Sequence, residues 1–183
     1  MRWEIQTRFA GAFEGSCMQS VTPRRQAVKV AHPVDIIEDI IADKEWVYDR
    51  RCETELAVEA PGTWCDYGMF FAWSEDLSAL HFSCAFDMRV QPKLMGQIYE
   101  LLAKLNERLW MGHFAIWVEE GIPMFRHTIR LQGPVDTETI TDMMELAMTE
   151  CERYYPSFQF VIWGGRTAED AIASSLLDTV GQA

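Results

Sequence analysis

The sequence predicts an α+β fold: a mostly antiparallel five-stranded sheet with helices packed on one face, in the order α-β-β-β-α-β-β-α-α. Three observations predict it. Stretches with an apolar period of two fall into two groups, at about residues 55–88 and 113–131. Stretches with a helical period precede, separate and follow those groups. No βαβαβ repeat is present, which removes a doubly wound parallel sheet.

The elements follow in order. Residues 1–31 mix Gly, Ser, Gln and Arg without a sustained period and read as a flexible arm. A single domain is expected over 32–183. "HPVDIIEDIIADKEW" opens it as a short helix, with Pro33 at the first helical position and Val34, Ile37, Ile40 and Ile41 as the stripe. "ETELAVEA" alternates, with Leu56 and Val58 facing in and Glu55, Ala57 and Glu59 facing out. After a turn at Pro61-Gly62, "TWCDYGMFFAWS" is apolar on both faces, as a central or interface strand is. "ALHFSCAFDM" sends Leu80, Phe82, Cys84, Phe86 and Met88 one way and His81, Ser83, Ala85 and Asp87 the other. A helix from Pro92 to Trp110 carries Leu94, Ile98, Leu101, Leu102, Leu105 and Leu109 on one face.

"HFAIWVEEGIPMFRHTIRL" reads as a hairpin with Glu120-Gly121 at its tip, which sets Trp117 opposite Met124 and Ala115 opposite Arg126. A long helix follows from about Asp136 to Tyr155, on Ile140, Met143, Met144, Ala147, Cys151 and Tyr154. "PSFQFVIWGG" is open between a helical extension, a buried turn and a short strand, because Pro156 ends or kinks a helix. After Gly164-Gly165, Thr167 with Asp170 can cap a last helix docked by Ile172, Leu176 and Leu177.

Composition limits the function. The chain has 183 residues, is 49% hydrophobic and carries a formal charge of −12. Its first 31 residues hold Arg2, Arg8, Arg24, Arg25 and Lys29 against Glu4 and Glu14, a balance of +3 that leaves −15 on the remainder. An acidic body lacks the basic stripe that tracks phosphates, so no nucleic-acid partner is expected. No run of about 18 apolar residues or signal-peptide core is found, so no membrane association is expected. The cysteines, Cys17, Cys52, Cys65, Cys84 and Cys151, are odd in number and lack C-x-x-C spacing. They read as reduced, mostly buried thiols of a cytoplasmic protein.

Candidate chemistry is sparse. "MFRHTIRLQG" sets His127 between Arg126 and Arg130, but strand parity separates them. His127 shares the inward face with Phe125 and Ile129, as a core histidine or the wall of a pocket. Arg126 and Arg130 point outward with Trp117, Met124 and His81. That face is either solvated and salt-bridged to Glu119 or Glu59, or a protein-interaction surface, for which Arg, Trp and Met are the enriched types. His81 and Cys84 of "HFSC" fall on opposite strand faces, and no zinc or nucleophile motif is present, so no catalytic residue, cofactor or metal is expected. "WGGRTAED" reads as a chain break before a docking helix rather than an anion site.

"WMGHFAIW", "MFRHTIRL", "CERYYPSFQFVIWGG" and "AEDAIASSLLDT" together resemble the bacterial YbjN-domain family, over roughly Val34 to Thr179 and most distinctively in the C-terminal half. The resemblance implies a type III secretion chaperone-like fold, often paired as a dimer, and a name in sensory transduction or regulation. It carries no catalytic residues across. The expectation is a non-enzymatic cytoplasmic homodimer that holds an unidentified partner protein, chaperone-like or regulatory. The alternative is a small-molecule sensor or enzyme with a pocket between sheet and helices near His127.

Overall fold

The computed structural model describes residues 32–133 and 135–180, with side chains through residue 176; the expected arm, 1–31, lies outside the described residues. The domain opens with helix α1, Pro33–Asp43, where the His32 ring accepts from the Val34 N–H at 3.3 Å and Pro33 needs no partner for a missing N–H. Val34, Ile36, Ile37, Ile40 and Ile41 bury its face. Glu45, in the left-handed region at φ 55°, turns the chain out of it.

Four strands follow: β1 (Val47–Cys52), β2 (Glu55–Pro61), β3 (Asp66–Ser74) and β4 (Ala79–Ala85). A 3₁₀ turn at Pro92–Leu94 leads into α2 (Met95–Asn106), then β5 (His113–Trp117) and β6 (Ile122–Arg130), and finally α3 (Thr137–Ile162) and α4 (Ala168–Val180). The sheet order is β1-β2-β3-β4-β6-β5, every neighbouring pair antiparallel. The α+β class and antiparallel sheet are therefore as expected, but the sheet has six strands, not five. The added strand is β1, "VYDRRC". It escapes the alternation rule because it is a charged edge strand whose inward-parity Arg50 reaches across to Glu38 and Asp35 of α1, at 2.5 and 2.8 Å.

Two helix ends also differ. Helix α2 stops at Asn106, four residues short of Trp110: beyond it the chain tightens into 3₁₀-type bonds, Arg108 N–H to Leu105 and Leu109 N–H to Asn106, and the Asn106 side chain reaches over to β5. Its Nδ2 donates to the Phe114 carbonyl at 3.0 Å and its Oδ1 accepts from the Phe114 N–H at 2.7 Å. Helix α3 runs through Pro156 to Ile162, which settles "PSFQFVI" as a helical extension. A proline at 156 leaves the Glu152 carbonyl without its i+4 donor. The Trp64 indole N–H fills that vacancy at 3.0 Å, and its ring stacks on Tyr155 at 6.3 Å with the planes 6° apart.

The helices share one core with the inner sheet face. Leu56, Val58, Tyr67, Met69, Phe71, Leu80, Phe82, Cys84, Phe114 and Phe125 meet Ile37, Ile98, Leu101, Met144, Tyr154 and Phe158 there. Phe86 sits at its hub, with ring centroids of Tyr67, Phe114, Tyr155 and Phe158 5.1–6.1 Å away. Helix α4 is capped by Thr167 and Asp170 in reciprocal fashion and tied to α3 by a buried Ser157–Ser175 hydroxyl pair at 2.7 Å. A second, smaller cluster lies on the outer sheet face: Ala57, Phe70, Ala85, Ile122 and Met124, bordered by Ala72, Ala115 and Trp117. All its members come from strands, and no described helix residue joins it.

Candidate functional site

The outer face owes its shape to the β5–β6 hairpin. Its loop is the four residues Val118–Gly121, not the two-residue Glu120-Gly121 turn expected from sequence. Gly121 takes φ 67°, and its carbonyl accepts from the Val90 N–H at 2.7 Å. A Cβ there would lie 2.5 Å from the Val90 carbonyl oxygen, so only glycine allows this approach. The longer loop slides the register by two residues. Trp117 opposes Ile122, Ala115 opposes Met124, Phe114 opposes Phe125 and His113 opposes Arg126. A two-residue slide preserves parity, so the two faces keep their expected membership while the lateral neighbours change.

His81, Met124, Arg126, Arg130 and Trp117 thus share the outer face but fall into three places along it. Met124 and Trp117 belong to the apolar cluster at the loop end. Arg130, paired with Ala79, is exposed at the far end of β6, about 26 Å from Trp117 at 3.3 Å per residue. Arg126 stands between them, opposite Ser83 on β4 and His113 on β5. Sequence parity found the face; His113 and Ser83 as the lateral neighbours of Arg126 were missed, and the loop length is what hid them.

At the centre is a short polar chain. The Arg126 guanidinium donates to His81 Nε2 at 3.3 Å, and His81 Nδ1 lies 2.8 Å from the Thr128 hydroxyl. Arg has no acceptor, so Nε2 must be unprotonated and the ring proton sits on Nδ1, donated to Thr128. Burial, then Arg126, then His113 push the His81 pKa down to about 4. His113 is lowered too, by burial and then by Arg126. Beside them the Ser83 hydroxyl is buried with no hydrogen-bond partner. The arrangement holds one permanent cation beside two neutral imidazoles in a half-apolar setting. Among the described residues it shows no nucleophile–base pair of the acyl-transfer kind, since the Ser83 hydroxyl bonds neither imidazole.

His127 lies on the helix-facing side of β6, half-buried opposite Phe82, with its pKa lowered by burial and then by His113. His81 and Cys84 point to opposite faces, Cys84 into the main core. Among the described residues Cys52, Cys65, Cys84 and Cys151 are unpaired thiols. Burial pushes the Cys65 thiol up to about 11. No described helix is long and apolar enough to cross a membrane.

Comparison with known proteins adds a family. The model of the YbjN family, described as "Putative bacterial sensory transduction regulator", matches residues 33–160. A crystal structure described as "YbjN, a putative transcription regulator from E. coli" superposes with a TM-score of 0.48 at 12% identity, covering 68% of this chain and 90% of that one. None of the curated proteins matches the chain significantly.

Proposed function

The chain belongs to the YbjN family, and we propose that it is a non-enzymatic regulatory or chaperone-like interaction module of the cytoplasm, working as a homodimer and holding a partner protein on its outer sheet face. The observation that carries this reading is the composition of that face: a half-buried Trp117 at the loop end, an exposed Arg130 at the far end of β6, and between them an Arg126 guanidinium hydrogen-bonded to His81. Interface cores favour this mixture of aromatic and arginine. The partner it fits offers an apolar side chain to Trp117 and a carboxylate to the exposed Arg130. The acidic body, at −15 outside the first 31 residues, disfavours nucleic acid in that role.

The test is a crosslinking pull-down from the native cell with the wild-type chain and with Trp117→Ala/Arg126→Ala. Truncation of two anchor residues costs about 2 kcal/mol or more, roughly thirtyfold in affinity. A reproducible partner lost from the variant is the expected result; an identical partner list rules the face out. A second reading places a small molecule between sheet and helices at His127, favoured by the half-buried position of that ring on the helix-facing side. It calls for thermal stabilisation by one metabolite that disappears in a folded His127→Ala chain.

A further inference from the structure

We infer that Cys84 and Cys151 form a redox site, which peroxide joins in an internal disulfide that staples helix α3 to strand β4. Their placement follows from the elements. Cys84 lies on the inner face of β4, two residues before Phe86, and Cys151 on the buried stripe of α3, four residues before Tyr155. The Phe86 and Tyr155 rings meet with centroids 5.2 Å apart. Two residues of strand cover about 6.6 Å and four of helix about 6 Å, so the two sulfurs fall one repeat away from that ring contact. There the Cys151 thiol hydrogen-bonds the Cys84 thiol. Both residues are 0% exposed. A search for C-x-x-C spacing misses such a pair, because its members meet only when a helix packs on a sheet.

The surroundings suit a small uncharged oxidant. Tyr67 lies beside both thiols and is fully buried, yet its hydroxyl has no hydrogen-bond partner, so it is a donor ready for a peroxide oxygen. Cys65, half-buried and accepting from the Tyr155 hydroxyl, forms a more exposed side of the same cluster. One thiol gives up its proton, its sulfur attacks a peroxide oxygen, and the O–O bond breaks to leave a sulfenic acid and hydroxide. The second sulfur, deprotonated in turn, displaces hydroxide from the first as the S–S bond forms. The two hydroxides take the two thiol protons, so two thiols and one peroxide become a disulfide and two waters. Burial, then the Cys84 thiol, pushes the Cys151 thiol well above its ordinary range. The thiolate is the reacting form, so the pair passes over brief exposure and records sustained oxidant. The bridge closes a long loop between two layers of the domain, and a small dithiol reopens it by exchange. None of this depends on the outer sheet face.

The experiment holds the reduced full chain in millimolar hydrogen peroxide under native conditions for hours. Remaining thiols are then blocked with N-ethylmaleimide in denaturant, and the peptides are mapped without reduction. The expected product joins the Cys84 peptide to the Cys151 peptide, in wild type and in Cys65→Ser alike. Thermal unfolding of the oxidised chain is expected to rise by several degrees and to return to its starting value in dithiothreitol. Bridges between other cysteines only, sulfinic or sulfonic acid at Cys84 or Cys151 without a bridge, or recovery of both as maleimide adducts overturn the inference. A bridge that forms only in urea overturns it as well, since the folded chain then plays no part in the pairing. A native bridge with no thermal rise overturns the staple.

Discussion

His81 shows how one proton decides a local structure. Its Nε2 accepts from Arg126 only while unprotonated. Adding a proton there destroys the bond and sets two cations face to face. The folded chain therefore keeps His81 neutral down to about pH 4, whereas an unfolded histidine protonates near 6.5. Between those values the unfolded state binds more protons, so stability falls as pH drops through that window. Urea midpoints taken from pH 7 to pH 4.5 are expected to decline. His81→Gln, which can accept from Arg126 and donate to Thr128 without titrating, should stay within about 1 kcal/mol of wild type at pH 7 and lose less on acidification. Some decline persists, since His113 and His127 are shifted the same way. A wild-type midpoint independent of pH would defeat the account. Strand parity alone placed Arg126 and His81 on one face. It could not place His113 opposite Arg126, because that pairing depends on two extra loop residues whose geometry rests on the contact between Gly121 and Val90.

Among the elements, the two sheet edges and the long helix carry the lesson. An edge strand offers unpaired N–H and C=O groups to any passing chain. Strand β1 answers with a bulge between Arg50 and Cys52 and with charge. Strand β5 answers with the Asn106 amide, which bonds both backbone groups of Phe114 as a neighbouring strand would. Asn106→Ala leaves both groups without that partner and is expected to cost about 1–3 kcal/mol in chemical denaturation, with faster hydrogen exchange at the Phe114 amide. Unchanged exchange would mean the edge is guarded some other way. In α3, Trp64 and Pro156 act as a pair. Trp64→Phe is expected to cost about 1 kcal/mol, and less in a Pro156→Ala background, where residue 156 can donate to Glu152 itself. A double-mutant cycle with no coupling would break that link. The apolar periods made both helices legible in the sequence. They could not reveal that the Trp64 indole donates to the carbonyl Pro156 leaves open, nor that the residue at the end of α2 bonds the backbone of an edge strand.

At the scale of the whole molecule, the order of periodicities was enough for the fold class, because the period-two and period-3.6 patterns survive errors at individual boundaries. The count of strands was not, since a charged edge strand such as β1 has no apolar alternation to show. The doubly apolar β3 was legible as a central strand, and it lies between β2 and β4 with Phe71 in the main core and Phe70, 2% exposed, in the outer-face cluster. With both edges guarded, two copies that associate must do so through side chains. Trp110, 99% exposed, with Met111, Val118 and Trp163 offers such material. Multi-angle light scattering at micromolar concentration is expected to give twice the chain mass, largely independent of salt, because an apolar contact is not screened. A mass of one chain would remove the dimer.

Asn106 also sets a clock. Hydrolysis of its side-chain amide, an event of storage rather than of inheritance, replaces the nitrogen that faces the Phe114 carbonyl with a carboxylate oxygen of the same size. Donor becomes acceptor, two oxygens oppose each other, and the protected edge opens without any change in shape. An aged sample would therefore grow sticky along one strand while its circular dichroism stayed that of the fresh protein.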